Sequence, residues 1–260
     1  MFTFSIITIC FNNLSDLQKT CKSIDEQISQ PFEHIIVNGS TNSDIANWLN
    51  KNKQPNYRKW ICELDKGIAD AFNKGIALAT GDVIQILNSA DIYTNNRVLK
   101  TVSDIFSNNS DIDWISGKIM MQRMGINVLI GKPFDANKVY RGMRSVSHPT
   151  WFVKKSVYNV IGNYNENYSI AMDYDMMCRL VKFKYLFLDI PMVIFDPSGV
   201  SNKNYLTSLH QNKMIYNSYF GSSIFLEIWQ IRLKILYFLQ KTFLGKMLFF
   251  IKRKLGLENL

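Results

Sequence analysis

Cysteine motifs, proline-rich linkers and internal repeats are missing from this sequence of 260 residues. Its four cysteines (Cys10, Cys21, Cys62 and Cys178) are widely scattered and form no CxxC pair. That spacing argues against a disulfide framework or a zinc site. No cluster of proline or glycine marks a linker. We therefore expect one domain over residues 1–220 and a helical segment over 221–260.

A long uncharged apolar run is also missing. Between Ile224 and Ile251 lysine or arginine interrupts the apolar residues every few positions, and the longest uncharged stretch, 235–240, has six residues. A helix that spans a bilayer needs roughly 20 apolar residues. The N-terminal segment reads as a β-strand and lacks the basic region of a signal peptide. These features predict no spanning segment.

Acidic residues are scarce in the last forty positions. Residues 221–260 hold seven basic and two acidic residues, so that 7 − 2 = +5 of the net charge of +9 lies there. Basic charge gathered in the tail, rather than spread over a surface, argues against nucleic acid as a partner. We expect residues 224–254 to form an amphipathic helix on the inner membrane surface. A helix that packs on the domain or on a second subunit is the alternative.

Several aromatic residues alternate with the cations of this tail and support an interfacial position. They are Trp229, Tyr237, Phe238, Phe243, Phe249 and Phe250.

Strands and helices alternate four times in the first ninety residues. Apolar strands are expected at 3–10, 33–37, 59–63 and 82–87, and helices at 14–27, around 45–49 and at 67–79. This order predicts an α/β fold, with a Rossmann-like, mainly parallel sheet covered by helices. Ligands gather at the carboxyl ends of such strands, where the polar loops 11–13, 38–44 and 88–91 follow.

Residues 95–220 follow a less regular pattern. Helices are expected near 96–106, 154–161 and 173–183, and strands near 113–121, 126–130 and 185–195.

Asp91 is the last residue of the polar loop 88–91, which ends the fourth expected strand. Mg²⁺ or Mn²⁺ needs only one or two protein carboxylates when a substrate diphosphate supplies the other oxygens, so Asp91 is a candidate metal ligand. An aspartate that caps a turn or helix is the alternative. No GxGxxG follows the first strand, which removes the main support for dinucleotide binding.

Five blocks of the sequence together resemble the family 2 inverting glycosyltransferases. The blocks are Ser5-Ile-Ile-Thr-Ile-Cys-Phe-Asn12-Asn13, Ile36-Val-Asn-Gly39-Ser40-Thr41, Glu63-Leu-Asp65-Lys-Gly67-Ile-Ala-Asp70-Ala-Phe-Asn73-Lys74-Gly75, Ala79-Thr80-Gly81-Asp82-Val-Ile-Gln-Ile-Leu-Asn88-Ser89-Ala90-Asp91, and Ala171-Met-Asp173-Tyr174-Asp175 with Arg179. Their order covers roughly residues 4–200, and the third block is highly specific. The branch that builds bacterial capsule, exopolysaccharide and O-chains looks most similar.

The resemblance implies a GT-A fold and a role for each matching position. Asp173 would be the base that takes the acceptor proton, with Asp175 and Arg179 in support. Asp91 would bind Mn²⁺ or Mg²⁺. Asp65 would contact the nucleotide base. The other donor-binding positions would be Thr8, Phe11, Asn12, Asn38, Gly39, Ser40, Lys66, Gly67, Asn73, Asn88, Ser89, Ala90 and His148.

The sequence departs from the family pattern at three places. Asn38 replaces a usual aspartate, Asn88 and Ala90 replace acidic members of the metal motif, and His148 precedes proline instead of glutamine. His148 is a candidate contact to the donor phosphates or the acceptor, with a structural histidine as the alternative.

Two further segments are candidates for contacts to the donor. Lys132, Arg141 and Arg144 are candidates to neutralise a diphosphate or an anionic lipid carrier, or they belong to a solvated loop. Residues 198–201 resemble a loop that closes over the donor.

The resulting expectation is sugar transfer from a nucleotide-diphosphate donor, a UDP-sugar first, to a lipid-linked saccharide at the cytoplasmic face of a bacterial membrane. A homo-oligomer is compatible with the sequence. The alternatives are a sugar-nucleotidyltransferase and a catalytically silent relative that binds nucleotide.

Overall fold

The computed structural model describes residues 2–123, 126–143, 146–197, 204–243, 245, 247–248 and 251. The helices of this described part are α1 (Leu14–Asp25), α2 (Asp44–Lys51), α3 (Ile68–Leu78), α4 (Val98–Asn108), α5 (Lys155–Ile161), α6 (Met172–Leu180), α7 (Tyr205–Phe220) and α8 (Ile224–Leu239). Short 3-10 helices lie at Ala136–Arg141 and His148–Thr150. The strands are β1 (Phe4–Cys10), β2 (Glu33–Asn38), β3 (Arg58–Cys62), β4 (Val83–Ile86), β5 (Ile92–Tyr93), β6 (Trp114–Arg123), β7 (Ile126–Ile130), β8 (Phe152–Lys154) and β9 (Tyr185–Ile194).

These strands form one mixed sheet in the order β3-β2-β1-β4-β8-β6-β9-β5, with β7 paired to β6. Strands β3, β2, β1 and β4 are parallel. Strand β8 is antiparallel to both β4 and β6, and β9 runs parallel to β6. The parallel half therefore presents the carboxyl ends of β1, β2 and β4 at one edge, where ligands bind in sheets of this kind.

Helices cover both faces of the sheet. Side chains of α3, α5 and α6 pack into one apolar cluster, and side chains of α4 pack into another. Helix α3 lies so close to β1 at Gly75 that a Cβ added to this glycine would be 2.3 Å from Cγ2 of Ile7. The glycine of the third sequence block therefore permits close contact between helix and sheet.

The predicted α/β fold is confirmed, and so is each helix and strand predicted over residues 3–195, with small shifts at the ends. Helix α7 and the short strands β5 and β8 were not predicted. Helix α7 combines polar and apolar residues around its whole circumference, so its sequence lacks the periodic apolar stripe that marks an amphipathic helix.

Helix α8 begins three residues after Gly221, whose φ of 77° ends α7. It packs on α7 and on the 3-10 helix Ala136–Arg141 through a small cluster formed by Leu209, Trp229 and Leu233. Among the described residues, no helix combines the length and apolar character needed to cross a bilayer.

Candidate active site at the carboxyl edge of the sheet

Side-chain hydrogen bonds join the three loops that follow β1, β2 and β4. Asn12 receives the Thr41 backbone N–H on Oδ1 at 3.1 Å, and its backbone N–H donates to Ser40 Oγ at 2.8 Å. The Asn13 amide donates to Ser89 Oγ at 2.8 Å. Asn12 has a φ of 53°, a left-handed conformation that asparagine tolerates better than most residues. The loops therefore form one connected rim, and Phe11 extends from it with 61% of its surface exposed.

Asp65 lies directly against the loop after β2. A Cβ at Gly39 would lie 1.9 Å from Asp65 Oδ2, so a larger residue at position 39 would displace this carboxylate. Lys74 holds the other oxygen, with its Nζ 2.9 Å from Asp65 Oδ1. The same Nζ lies 3.1 Å from Glu63 and 3.2 Å from Asp70. One lysine therefore fixes three carboxylates at the start of α3.

Lys66 and Gly67 are exposed and lead into α3. The Lys66 backbone N–H donates to Asp70 Oδ2 at 2.9 Å, and Gly67 has a φ of 146°, a conformation that favours glycine.

Three residues predicted to bind the donor have side chains that are already engaged elsewhere in the protein. Thr8 is fully buried, with its hydroxyl 3.0 Å from His34 Nε2. Asn38 is 3% exposed, and its Oδ1 accepts the Ser40 N–H at 3.1 Å, which shapes the loop. Asn73 bonds in both directions to the backbone of Tyr164, at 2.8 and 3.0 Å. In this arrangement their side chains support the rim from within.

The turn from Asn88 to Asp91 has a strained conformation. Ala90 has a φ of 85°, in the left-handed region that usually requires glycine. The Ala90 N–H donates to Thr20 Oγ1 at 3.1 Å, and that hydroxyl lies 2.9 Å from the Asp91 carbonyl. Thr20, on α1, thus holds the turn in place. No motif in the sequence pointed to it, because it lies about seventy residues away and falls in none of the five blocks.

Asp91 is nearly inaccessible to solvent, with 2% exposed. Its Oδ1 accepts the backbone N–H of Asp196, two residues after β9, at 3.0 Å. Burial raises the pKa of Asp91 to about 7; the Asp196 hydrogen bond opposes the rise and the Asp196 charge adds to it. Sequence reasoning missed Asp196, since the sheet brings it to Asp91 from 105 positions away.

The turn has the chemistry of a partial cation site. Asn88 Oδ1 is buried and has no hydrogen-bond partner among the described residues. Mg²⁺ and Mn²⁺ prefer oxygen ligands such as this amide oxygen and the buried Asp91 carboxylate. Within the described part of the chain, no three histidine, cysteine, aspartate or glutamate side chains form a complete site. A cation here would need oxygens from a bound diphosphate.

Asp173 lies in the first turn of α6 and keeps 31% of its side chain exposed. Its Oδ1 is buried without a hydrogen-bond partner in the described structure. His148 is a basic neighbour, with its Nε2 3.9 Å from Asp173 Oδ1. Burial raises the pKa of Asp173, and the attraction of His148 opposes this rise. A partly exposed carboxylate with a raised pKa is suited to accept a proton.

His148 is buried beside Asp173. Its Nε2 lies 2.7 Å from the Tyr164 hydroxyl, and its ring stacks on Phe72 with centroids 5.3 Å apart. Burial lowers the pKa of His148, while Asp173 opposes that shift. Burial thus disfavours the charged form of each group, while each group favours the charged form of the other. Tyr164, which the sequence did not single out, joins His148 to Asn73 of α3.

Asp175 has a different environment, although it is only two residues from Asp173. It is 2% exposed, and both of its oxygens accept hydrogen bonds. Oδ2 accepts one from the Arg179 guanidinium at 2.6 Å, and Oδ1 accepts one from the Tyr219 hydroxyl at 2.9 Å. Arg179 also donates to the carbonyl of Ile161 at 2.7 Å. This cluster fastens α6 to α7 and to the end of α5.

The basic residues before His148 are only partly described. The Arg141 guanidinium lies 5.2 Å from the ring centre of Trp229, and so it packs against α8. Lys132 is exposed. Arg144 and residues 198–201 lie outside the described residues.

Comparisons with known proteins agree on the fold. The model of glycosyl transferase family 2 matches residues 5–178. An uncharacterized glycosyltransferase of Mycobacterium tuberculosis is 33% identical over 179 residues, which cover 68% of each chain. Residues 1–349 of Staphylococcus aureus TarS in complex with UDP-GlcNAc match with a TM-score of 0.62 and 16% identity, over 88% of this chain and 70% of that one. The full TarS chain is longer, and this protein spans 42% of it.

A second solved structure covers nearly the whole chain. It is the mannosyltransferase PcManGT from Pyrobaculum calidifontis in complex with GDP-Man and Mn²⁺. The match has a TM-score of 0.59 and 11% identity, over 98% of this chain and 81% of that chain.

Proposed function

This chain belongs to glycosyl transferase family 2 and is a glycosyltransferase, and we propose that it moves a sugar from a nucleoside-diphosphate donor to an acceptor hydroxyl with inversion at the anomeric carbon. The observation that carries the proposal is the contrast between two neighbouring carboxylates. Asp175 has both oxygens engaged, whereas Asp173 is partly exposed and has one unpartnered oxygen. Of these two carboxylates, only that of Asp173 has side-chain surface that a substrate can reach, with 31% exposed against 2% for Asp175.

In the proposed reaction, the Asp173 carboxylate takes the proton of the acceptor hydroxyl. The hydroxyl oxygen forms a bond to the anomeric carbon on the side opposite the diphosphate. The bond from that carbon to the diphosphate oxygen breaks, and its electron pair leaves with the nucleoside diphosphate. The raised pKa of Asp173 makes it a stronger base than an ordinary aspartate, because its charge is poorly solvated.

The donor would lie along the rim formed by the three loops. Asp65 would contact the base, since its carboxylate lies against Gly39 and is oriented by Lys74. A bound Mn²⁺ or Mg²⁺ would be held by Asp91, with Asn88 Oδ1 nearby, and would supply positive charge to the leaving diphosphate. Solved relatives in complex with UDP-GlcNAc and with GDP-Man support a nucleotide sugar, and we propose UDP first.

The acceptor and the cellular setting complete the proposal. We propose a lipid-linked saccharide acceptor and a role in bacterial cell-surface polysaccharide synthesis, such as capsule or lipopolysaccharide. The basic, apolar tail supports a peripheral position at the cytoplasmic face of the membrane. A homo-oligomer stays a prediction.

One observation favours a second candidate, a catalytically silent relative that binds nucleotide. The metal motif has lost acidic residues at positions 88 and 90, and Ala90 is strained where glycine would be relaxed.

Nucleotide release separates the two candidates. We would supply UDP-, GDP- and dTDP-sugars with a membrane lipid extract as acceptor, with and without Mn²⁺, to wild type, Asp91→Ala and the surface control Asp104→Asn. The transferase and its metal site are supported if nucleotide is released from one donor, if this release requires Mn²⁺, and if Asp91→Ala abolishes it while Asp104→Asn does not. Nucleotide binding without release from any donor would identify the silent relative.

A further inference from the structure

Helix α8 has apolar residues on two opposite faces. Its inner face carries Leu226, Trp229 and Leu233, which are at most 9% exposed. The residues of its outer face repeat every three or four positions and are 56–67% exposed. This outer stripe consists of Ile224, Ile228, Ile231, Ile235 and Phe238. At 3.6 residues per turn these five residues form one continuous line along the helix.

The inner face mounts the helix firmly on the domain. The Trp229 indole N–H donates to the Arg141 carbonyl at 3.3 Å, and the Gln230 amide donates to the Leu209 carbonyl at 3.1 Å. Trp229 was expected to face a membrane, and the structure corrects this, since its ring packs inward with 9% exposed. The outer stripe is therefore an exposed apolar patch on a helix that already packs on the domain through its other face.

Cations flank the outer stripe. Arg232 and Lys234 are exposed on either side of it. The one acidic residue of α8, Glu227, is paired with Lys213 at 2.6 Å. Beyond the helix, Phe243 is also apolar and 85% exposed. Long basic side chains beside an apolar stripe can reach phosphates while the apolar residues enter the acyl region.

We propose that the outer stripe of α8 lies in the plane of an anionic lipid bilayer and inserts into its surface. A second copy of this chain fits less well, because its own α8 offers Arg232 and Lys234 no unpaired carboxylate. Lipid phosphates supply the missing negative charge along the whole helix.

The contacts that hold α8 on the domain also involve the helix that carries the proposed base. Two carbonyls of the 3-10 helix Ala136–Arg141 accept hydrogen bonds. The Arg141 carbonyl accepts one from the Trp229 indole N–H, and the Val139 carbonyl accepts one from the Tyr174 hydroxyl at 2.8 Å. Tyr174 follows Asp173 on α6. The 3-10 helix Ala136–Arg141 therefore links the bilayer-binding helix α8 to α6, the helix that carries Asp173. The importance of this link rests on the proposed function, of which the membrane position is a part, and lipid binding is measured separately from sugar transfer.

Vesicle flotation of the full chain tests the proposal. We would use vesicles of phosphatidylcholine alone and of phosphatidylcholine with phosphatidylglycerol. Ile228→Asn/Ile235→Asn should lower binding to the mixed vesicles by about tenfold or more. The matched control Ile28→Asn/Val160→Asn changes two apolar residues elsewhere that are also more than half exposed, and it should bind like wild type. Because all four side chains are largely exposed, none of the changes should disturb folding.

A charge pair separates lipid charge from apolar insertion. Arg232→Gln/Lys234→Gln should lose the preference for phosphatidylglycerol, whereas Lys51→Gln/Lys53→Gln, with the same change in net charge, should keep it. The proposal is overturned if wild type does not float, or if the stripe variant floats like wild type. A third result would also overturn it: light scattering shows that wild type is a dimer and the stripe variant a monomer, and wild type does not bind vesicles. A chain that floats but turns over no donor contradicts the proposed function alone.

Discussion

The proposed donor half of the site, formed by the loops after β1 to β4, and its proposed acceptor half, around α6, hold their carboxylates in opposite ways. In the donor half, ion pairs hold the carboxylates in place, and Lys74 contacts Glu63, Asp65 and Asp70 together. Around α6, Asp173 has a buried oxygen without a partner. A carboxylate that recognises a nucleotide benefits from a fixed position, whereas a base benefits from weak solvation that raises its pKa.

The largest expected effect comes from replacing the proposed base, Asp173. Asp173→Asn should lower kcat by about a thousandfold, because the amide cannot accept the proton, while donor binding stays near the wild-type level. Asp175→Asn is the comparison, since it should destabilise α6 yet retain much of the catalysis in the folded fraction. Transfer rates combined with calorimetric titration of donor would measure both. Loss of donor binding in Asp173→Asn would contradict the assignment.

An intermediate effect is expected at the fixed carboxylates of the donor half. Lys74→Met should raise the donor KM by about tenfold with a small change in kcat, because Asp65 loses its orienting partner beside two other negative charges. Lys100→Met removes a lysine that is paired on the surface with Asp104, and it should leave KM unchanged. If Lys74→Met lowered kcat with KM unchanged, Lys74 would act on the chemical step instead.

The smallest effect is expected at His148, and it concerns pH. Activity should fall as the pH drops through the raised pKa of Asp173, because only the carboxylate form is a base. His148 opposes that raised pKa, so His148→Phe should move the acid limb of kcat/KM to higher pH. At pH values above this acid limb, kcat/KM of His148→Phe should differ from that of wild type by less than about tenfold. The exposed His210→Phe is the control, and an unmoved limb in His148→Phe would show a purely structural histidine.

The sequence predicted the parallel half of the sheet well, because each strand there is a continuous apolar run followed by a polar turn. It did not predict α7, and it could not separate residues that face a ligand from residues that support the loops. Thr8 and Asn38 lie in matching blocks, yet their side chains are buried in hydrogen bonds.

The residues alone determined the α/β fold, the family and the positions of Asp65, Asp91 and Asp173, because these depend on local periodicity and on motif order. Only the tertiary structure decided their environments. It brought Asp196 to Asp91, placed His148 and Tyr164 beside Asp173, and turned Trp229 inward while leaving the outer stripe exposed. Burial and pairing between distant positions set these outcomes, and neither is encoded in the spacing of neighbouring residues.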